Sequence, residues 1–156
     1  MPVHLYLWHP ILVHFTAGLL STSLLFFVIA WRVASDPWRS RLLTVAEWNL
    51  WFGTAVTVLT VAVGFIAFGT APHEEAMVPL MEGHRDFALY TFAAFIAMAA
   101  ISAWLRGKPG HPSPLFLAGL LVACILLVLT AGRGGDLVFE HGVGVSNPSV
   151  RQAHGG

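Results

Sequence analysis

Four long, nearly uninterrupted apolar blocks run through the chain, at about 10–33, 42–68, 83–105 and 114–132, joined by short polar connections. A stretch of about 20 apolar residues is long enough to cross a hydrocarbon core about 30 Å thick. None of the blocks carries the regular charged stripe that a soluble helical bundle needs on its outer face. The expected fold is all-α, a single four-transmembrane-helix bundle over 1–156, in the lipid bilayer. Only 10% of the 156 residues are charged, against roughly 25% in a soluble domain. The blocks use up nearly the whole length, which leaves no room for a separate catalytic domain.

Charge and cysteine content exclude several function classes. Eight basic and eight acidic residues give a formal net charge of zero, so nothing favours nucleic acid. The single cysteine, Cys124, lies inside an apolar block. It rules out an intrachain disulfide, covalent c-type haem attachment and a multi-cysteine metal site, so any metal must rely on histidine or oxygen. The N-terminus has neither a basic region nor a small-residue cleavage site, and the first block is expected to remain as a membrane helix. Arg32, Arg39 and Arg41 follow the first block, and Arg106 and Lys108 follow the third. These loops are expected to be cytoplasmic, with Trp31, Trp38 and Trp104 as interfacial anchors. Both termini are then periplasmic, in a bacterial inner membrane.

On this topology seven of the eight histidines, His4, His9, His14, His73, His84, His141 and His154, fall on or near the outer face, and only His111 falls on the other. His14 lies one to two turns inside the first helix, where an imidazole is expected to point into the bundle toward a partner. Gly18 and Ser21 continue its face. His84 opens the third helix, with Ala88 and Thr91 on its face. The two are expected at similar depth on different helices, which suits a b-type haem held by two axial imidazoles. Arg133 or Arg85 would then pair with the propionates. The plainer reading is a hydrogen-bonded tie between helices. His9, just before Pro10, reads as a helix cap. His9 and His14 are five residues apart, about 140° around a helix, and cannot share one face.

Three further features stand out. Gly53, Thr57, Thr60 and Gly64 form a stripe of small residues suited to close helix packing, and such stripes also allow a homodimer. Glu47, beside Trp48 and Trp51, reads as an interfacial carboxylate, or less simply as a proton or quinone site. The segment 133–156 reads as a Gly-rich periplasmic tail. Its part from Gly132 to Val145 is expected to fold back over the outer mouth as a lid, with His141 directed inward.

Two motifs together carry a resemblance: His9-Pro10-Ile11-Leu12-Val13-His14-Phe15, and Gly134-Gly135-Asp136-Leu137-Val138-Phe139 leading into His141-Gly142-Val143-Gly144-Val145. With His84 opening the third block, the chain resembles the bacterial membrane family known as domain of unknown function 2231, over about His9 to Val145. It departs from the family pattern at Thr16, where proline is frequent, and at Gly69-Thr70, where an Asp-Trp pair is common. The resemblance implies a small four-helix membrane protein, and because some members occur fused to or beside cytochrome c domains, it implies a redox setting.

The reading that results is a membrane-bound b-type haem protein for electron transfer rather than an enzyme with its own substrate. His14 and His84 are its axial ligands, and His9 and His141 are candidates for a second haem. A cytochrome c or a quinone would be the redox partner. One alternative is a copper or zinc binding or sensing protein that uses some of His9, His14, His73, His84 and His141. The other is a structural partner subunit without a cofactor.

Overall fold

The structure, a computed structural model, describes residues 5–145. Four long helices are present: α1 (Trp8–Arg32), α2 (Trp38–Thr70), α3 (Val78–Leu105) and α4 (Pro114–Phe139). Short 3-10 turns at Leu5–Leu7 and Glu75–Met77 precede α1 and α3, and there is no strand among the described residues. All four helices are long and apolar enough to cross a membrane.

The outward side chains show which solvent the bundle is built for. Phe15, Phe52, Tyr90, Leu115 and Val128 are among its most exposed residues, while Thr16, Ser23, Thr54, Thr57, Thr60, Thr91 and Thr130 are buried. In water this distribution would be unfavourable on both counts. In lipid it is the expected one, because large apolar groups meet the acyl chains and hydroxyls satisfy one another or a carbonyl inside.

The helices extend past the apolar blocks. α2 begins at Trp38 rather than 42, α3 at Val78 rather than 83, and α4 continues to Phe139 rather than 132. Hydropathy marks the hydrocarbon-embedded part of a helix, whereas backbone hydrogen bonding carries the coil on into the interface. The 33 residues of α2 make a rod of about 50 Å, well beyond the hydrocarbon core. α4 starts where the sequence places it. Ser113 caps it by accepting from the Phe116 N–H at 3.2 Å, and Pro114 occupies the first position, where no donor is needed. α1 differs: it starts at Trp8 with no side-chain cap, so His9 is a first-turn residue whose ring is free for another task.

Successive helices are antiparallel, and the bundle is two hairpins. α1 lies mainly against α2 and α3 against α4, with α2–α3 and α1–α4 joining the pairs. The main core contains Leu20, Phe27, Ala46, Leu50, Phe95, Met98, Phe116 and Leu120. Gly53 makes room for it: a Cβ there would come within 2.8 Å of Leu20 Cδ2, so part of the small-residue stripe is close helix packing. A smaller cluster of Met81, Leu137 and Val143, flanked by Phe68 and Met77, closes the other end. We call that end the histidine end, and the end bearing Arg32, Arg39, Arg41, Arg106 and Lys108 the basic end.

The glycine-rich run after position 131 is not a coil, since residues up to Phe139 are helical. The chain then turns at Gly142, Val143 is buried against Met81 and Leu137, and the Gly144 N–H donates to the Pro72 carbonyl at 2.8 Å. His141 does not point inward, as expected of it, but is exposed. The proposed tail beyond 145, with Arg151 and His154, and His4 at the start lie outside the described residues.

Candidate functional site

The inward stripe of α1 runs His9, Thr16, Leu20, Ser23, Phe27, Ala30, all but His9 fully buried. The His9 Nδ1–H donates to the Thr60 carbonyl of α2 at 3.1 Å. A carbonyl can only accept, so the proton sits on Nδ1 and Nε2 keeps its lone pair. The ring lies against Gly64, where a Cβ would stand 2.9 Å from His9 Cε1. One turn toward the basic end from that glycine, the Thr16 and Thr60 hydroxyls are 2.9 Å apart. Thr60 directs its own proton to the Val56 carbonyl, so Thr16 is the donor of the pair.

The second hairpin repeats this arrangement. The His84 Nδ1–H donates to the Thr130 carbonyl of α4 at 3.1 Å. Its ring lies against Gly134, where a Cβ would stand 3.0 Å from His84 Cε1. The hydroxyls of Thr91 and Thr130 are 2.8 Å apart. The two imidazoles meet between the hairpins with centroids 6.3 Å apart and planes crossed at 83°. The histidine end therefore presents two imidazoles, each fixed through Nδ1, each with its Nε2 lone pair left over, contributed by different halves of the chain.

The pair is not the one expected from the sequence. His14 is exposed and donates to the Pro10 carbonyl one turn back at 2.6 Å, and with Phe15, Gly18 and Leu19 it lines a shallow outward groove. His9 and His14, about 140° apart around α1, lie on different faces. The inward face belongs to His9 because Thr16, seven residues on, continues it, whereas Gly18 continues the face of His14 outward. His84 is where the sequence puts it.

The other candidates are dispersed. His73 donates to the nearby Ala71 carbonyl at 2.8 Å. His141 lines a cleft of about 150 Å³ with Pro79, Leu80, Gly83, Arg133, Asp136 and Leu137. Arg85 is engaged by Asp86 at 2.9 Å and Glu82 at 3.7 Å. Arg133 lies 3.6 Å above the Phe87 ring and forms no ion pair among the described residues. No group of three or more His, Cys, Asp or Glu side chains among the described residues is arranged to hold a metal ion.

Thr16, Thr91 and Thr130 belong to the site, and the sequence reading passed over their part in it. Their signal is a repeat. A histidine is followed seven residues later by threonine at 9/16 and again at 84/91, and a threonine is followed four residues later by glycine at 60/64 and again at 130/134. Each spacing keeps both residues on one helix face.

The profile of the family described as predicted membrane protein (DUF2231) matches residues 8–147, and the chain belongs to that family. It is a membrane protein with the two-hairpin helical fold described above. No curated protein and no solved structure matches it.

Proposed function

We propose that this protein is a membrane-bound b-type haem protein for electron transfer, with His9 and His84 as its axial ligands. The observation that carries this reading is the crossed imidazole pair, with Nδ1 of each ring donated to a backbone carbonyl and Nε2 left as the donor atom. Two imidazoles on opposite sides of one metal ion, at about 2.0–2.1 Å per nitrogen, have centroids about 6 Å apart. The spacing here is 6.3 Å.

The number of donors favours haem over a bare ion. Zinc and copper sites usually take three or four protein ligands, and among the described residues this end of the bundle brings together two. A haem brings four nitrogens of its own and asks the protein for one or two axial atoms. Haem would supply one-electron chemistry. The residues' part is to hold and tune it. Thr60 and Thr130 fix ring orientation through their carbonyls, as outer-sphere partners do at metal sites. Gly64 and Gly134 let the rings lie close to α2 and α4. Arg133, free of carboxylates and on the same helix as Gly134, is the cation best suited to a propionate. Arg85 already has two acidic partners.

The histidine end faces the periplasm in this reading, because the basic end carries five of the Lys and Arg residues flanking the helices. A cytochrome c on that side is the fitting electron partner. A reduced-minus-oxidised visible spectrum of purified full-length protein, with pyridine haemochrome quantitation, tests the proposal. A Soret band with about one b haem per chain is expected; a colourless, iron-free protein overturns it and leaves the pair as a tie between hairpins.

A further inference from the structure

At the basic end, α3 and α4 are joined by the connection 106–113. Residues 106–110 are all exposed, His111 and Pro112 are buried, and Ser113 is half-buried. The start of the connection is tied to α2, where Arg106 Nε meets Glu47 at 3.2 Å. Its end is held by His111, whose ring stands edge-on to Phe27 of α1 and Phe116 of α4, with centroids 5.7 and 4.9 Å away. The Arg39 guanidinium of α2 donates to the His111 carbonyl at 2.6 Å. One residue of the connection therefore touches three helices. Between the two ties Gly107 and Gly110 turn through φ of 73° and 82°, a region that glycine enters without strain.

The His111 ring is bonded to nothing. His9, His14, His73 and His84 each donate Nδ1–H to a backbone carbonyl, whereas both ring nitrogens of His111 are buried without a hydrogen-bond partner among the described residues. A neutral ring fits such an aromatic box, but an imidazolium there would be a buried cation with no counter-charge. The charged side chains at this end are Arg32 on α1, Asp36 before α2, Arg39, Arg41 and Glu47 on α2, and Arg106 and Lys108 on the connection; the first half of α4 carries none. Arg39 is the one that bears on the ring, and it is itself a cation. Glu47 is engaged by Arg106, and no carboxylate lies within ion-pair distance of His111 among the described residues.

We propose that the 106–113 connection is an acid-sensitive latch with His111 as its catch: the neutral ring keeps the connection closed against α1 and α4, and the protonated ring leaves for water and lets it open about Gly107 and Gly110. Burial, helped by Arg39, lowers the pKa of His111 from the ordinary value of 6.5. Below about pH 6.5 the open form therefore binds a proton that the closed form resists, and opening becomes more favourable by up to about tenfold per pH unit until the lowered value is passed. In the orientation proposed above, the latch responds to acidity on the cytoplasmic side. It needs no cofactor at the histidine end.

Hydrogen–deuterium exchange of full-length protein in lipid nanodiscs tests the latch. Exchange is read by mass spectrometry at about pH 7.5 and about pH 5.5 and expressed as protection factors, so that the intrinsic pH dependence of exchange cancels. The reporting amides are those of Lys108, His111, Phe116 and Leu117, all hydrogen-bonded in the closed connection or at its junction with α4. Their protection should fall about tenfold on acidification, while Val33, bonded to the Ile29 carbonyl at the end of α1, should be unchanged. His111→Phe, which fills the aromatic box without titrating, should keep the high-pH protection at both values. Equal protection at the two pH values in the parent overturns the inference whether or not that variant folds. A loss that persists in folded His111→Phe also overturns it and assigns the response to another group.

Discussion

The two ends of this bundle solve the problem of polar groups in a membrane in opposite ways. At the histidine end each inward histidine is fixed to a backbone carbonyl and backed by a hydroxyl pair, and the whole unit occurs twice, once per hairpin. At the basic end the arrangement occurs once, and buried polar atoms of Trp51, Ser102 and His111 lack partners. Apolar packing differs too, with the large core in the middle and toward the basic end and a small cluster at the histidine end. A rigid, twofold, modestly packed end is suited to presenting two ligands. A densely packed end with unpaired polar atoms is suited to opening when one of them takes on a charge.

The comparison breaks most readily at the glycines. Gly64→Val and Gly134→Val put bulk within about 3 Å of the fixed rings, and overpacking of this kind costs about 1–3 kcal/mol. Both variants should lose stability to unfolding in mixed micelles by similar amounts, as the duplication requires. Gly132→Val, which meets open space, should not. A large loss at one glycine alone would contradict the equivalence of the hairpins.

Next in size is the ion pair at the basic end. Arg106→Ala leaves a buried carboxylate without its partner. The arginine side chain is 55% exposed, so the expected loss is nearer 1–2 kcal/mol than the values for fully buried pairs. Thermal unfolding in detergent measures it, and the double variant with Glu47→Gln should recover part of the loss.

Smaller still are the hydroxyl pairs. Thr16→Val and Thr91→Val should each cost about 0.6 kcal/mol, typical of side-chain hydrogen bonds inside membranes. Equal values would sharpen the repeat, and a difference above about 1 kcal/mol would mean that the two halves have diverged energetically.

The smallest effect is a pH dependence. His111, in the loop before α4, is buried between Phe27 and Phe116 with centroids 5.7 and 4.9 Å away. Burial, helped by the nearby Arg39, lowers its pKa from the ordinary value of 6.5. The unfolded chain then takes up a proton that the folded one resists, so stability falls as pH drops below about 6.5 and levels off below the folded pKa. His111→Phe should flatten that part of a stability-versus-pH curve; an unchanged slope would assign it elsewhere.

Much of the fold was legible in the sequence because lipid imposes a coarse rule: long apolar blocks must be helices, and four blocks make a bundle. Helix ends were less legible, as at 132–139, where glycines suggested a coil but α4 continues. His84 was legible because it opens a block and shares a face with Thr91. His9 was not. Its position beside Pro10 suggested a cap, and the depth of His14 made it the better inward candidate. What decides between them is rotation about α1, set by packing of Thr16 and Leu20 against α2, and a single helix with apolar residues all round carries little record of its own rotation. That information lies in the second hairpin, where the same spacings recur.

Haem content across an alanine series tests the central claim most directly. Full-length His9→Ala, His84→Ala and His14→Ala proteins are purified alongside the parent, and haem b per chain is measured by pyridine haemochrome. The account predicts at least a tenfold loss in His9→Ala and in His84→Ala, with His14→Ala close to the parent. Loss of haem in His14→Ala with retention in His9→Ala would contradict it, and would mean that α1 is turned by about 140° relative to the arrangement described here.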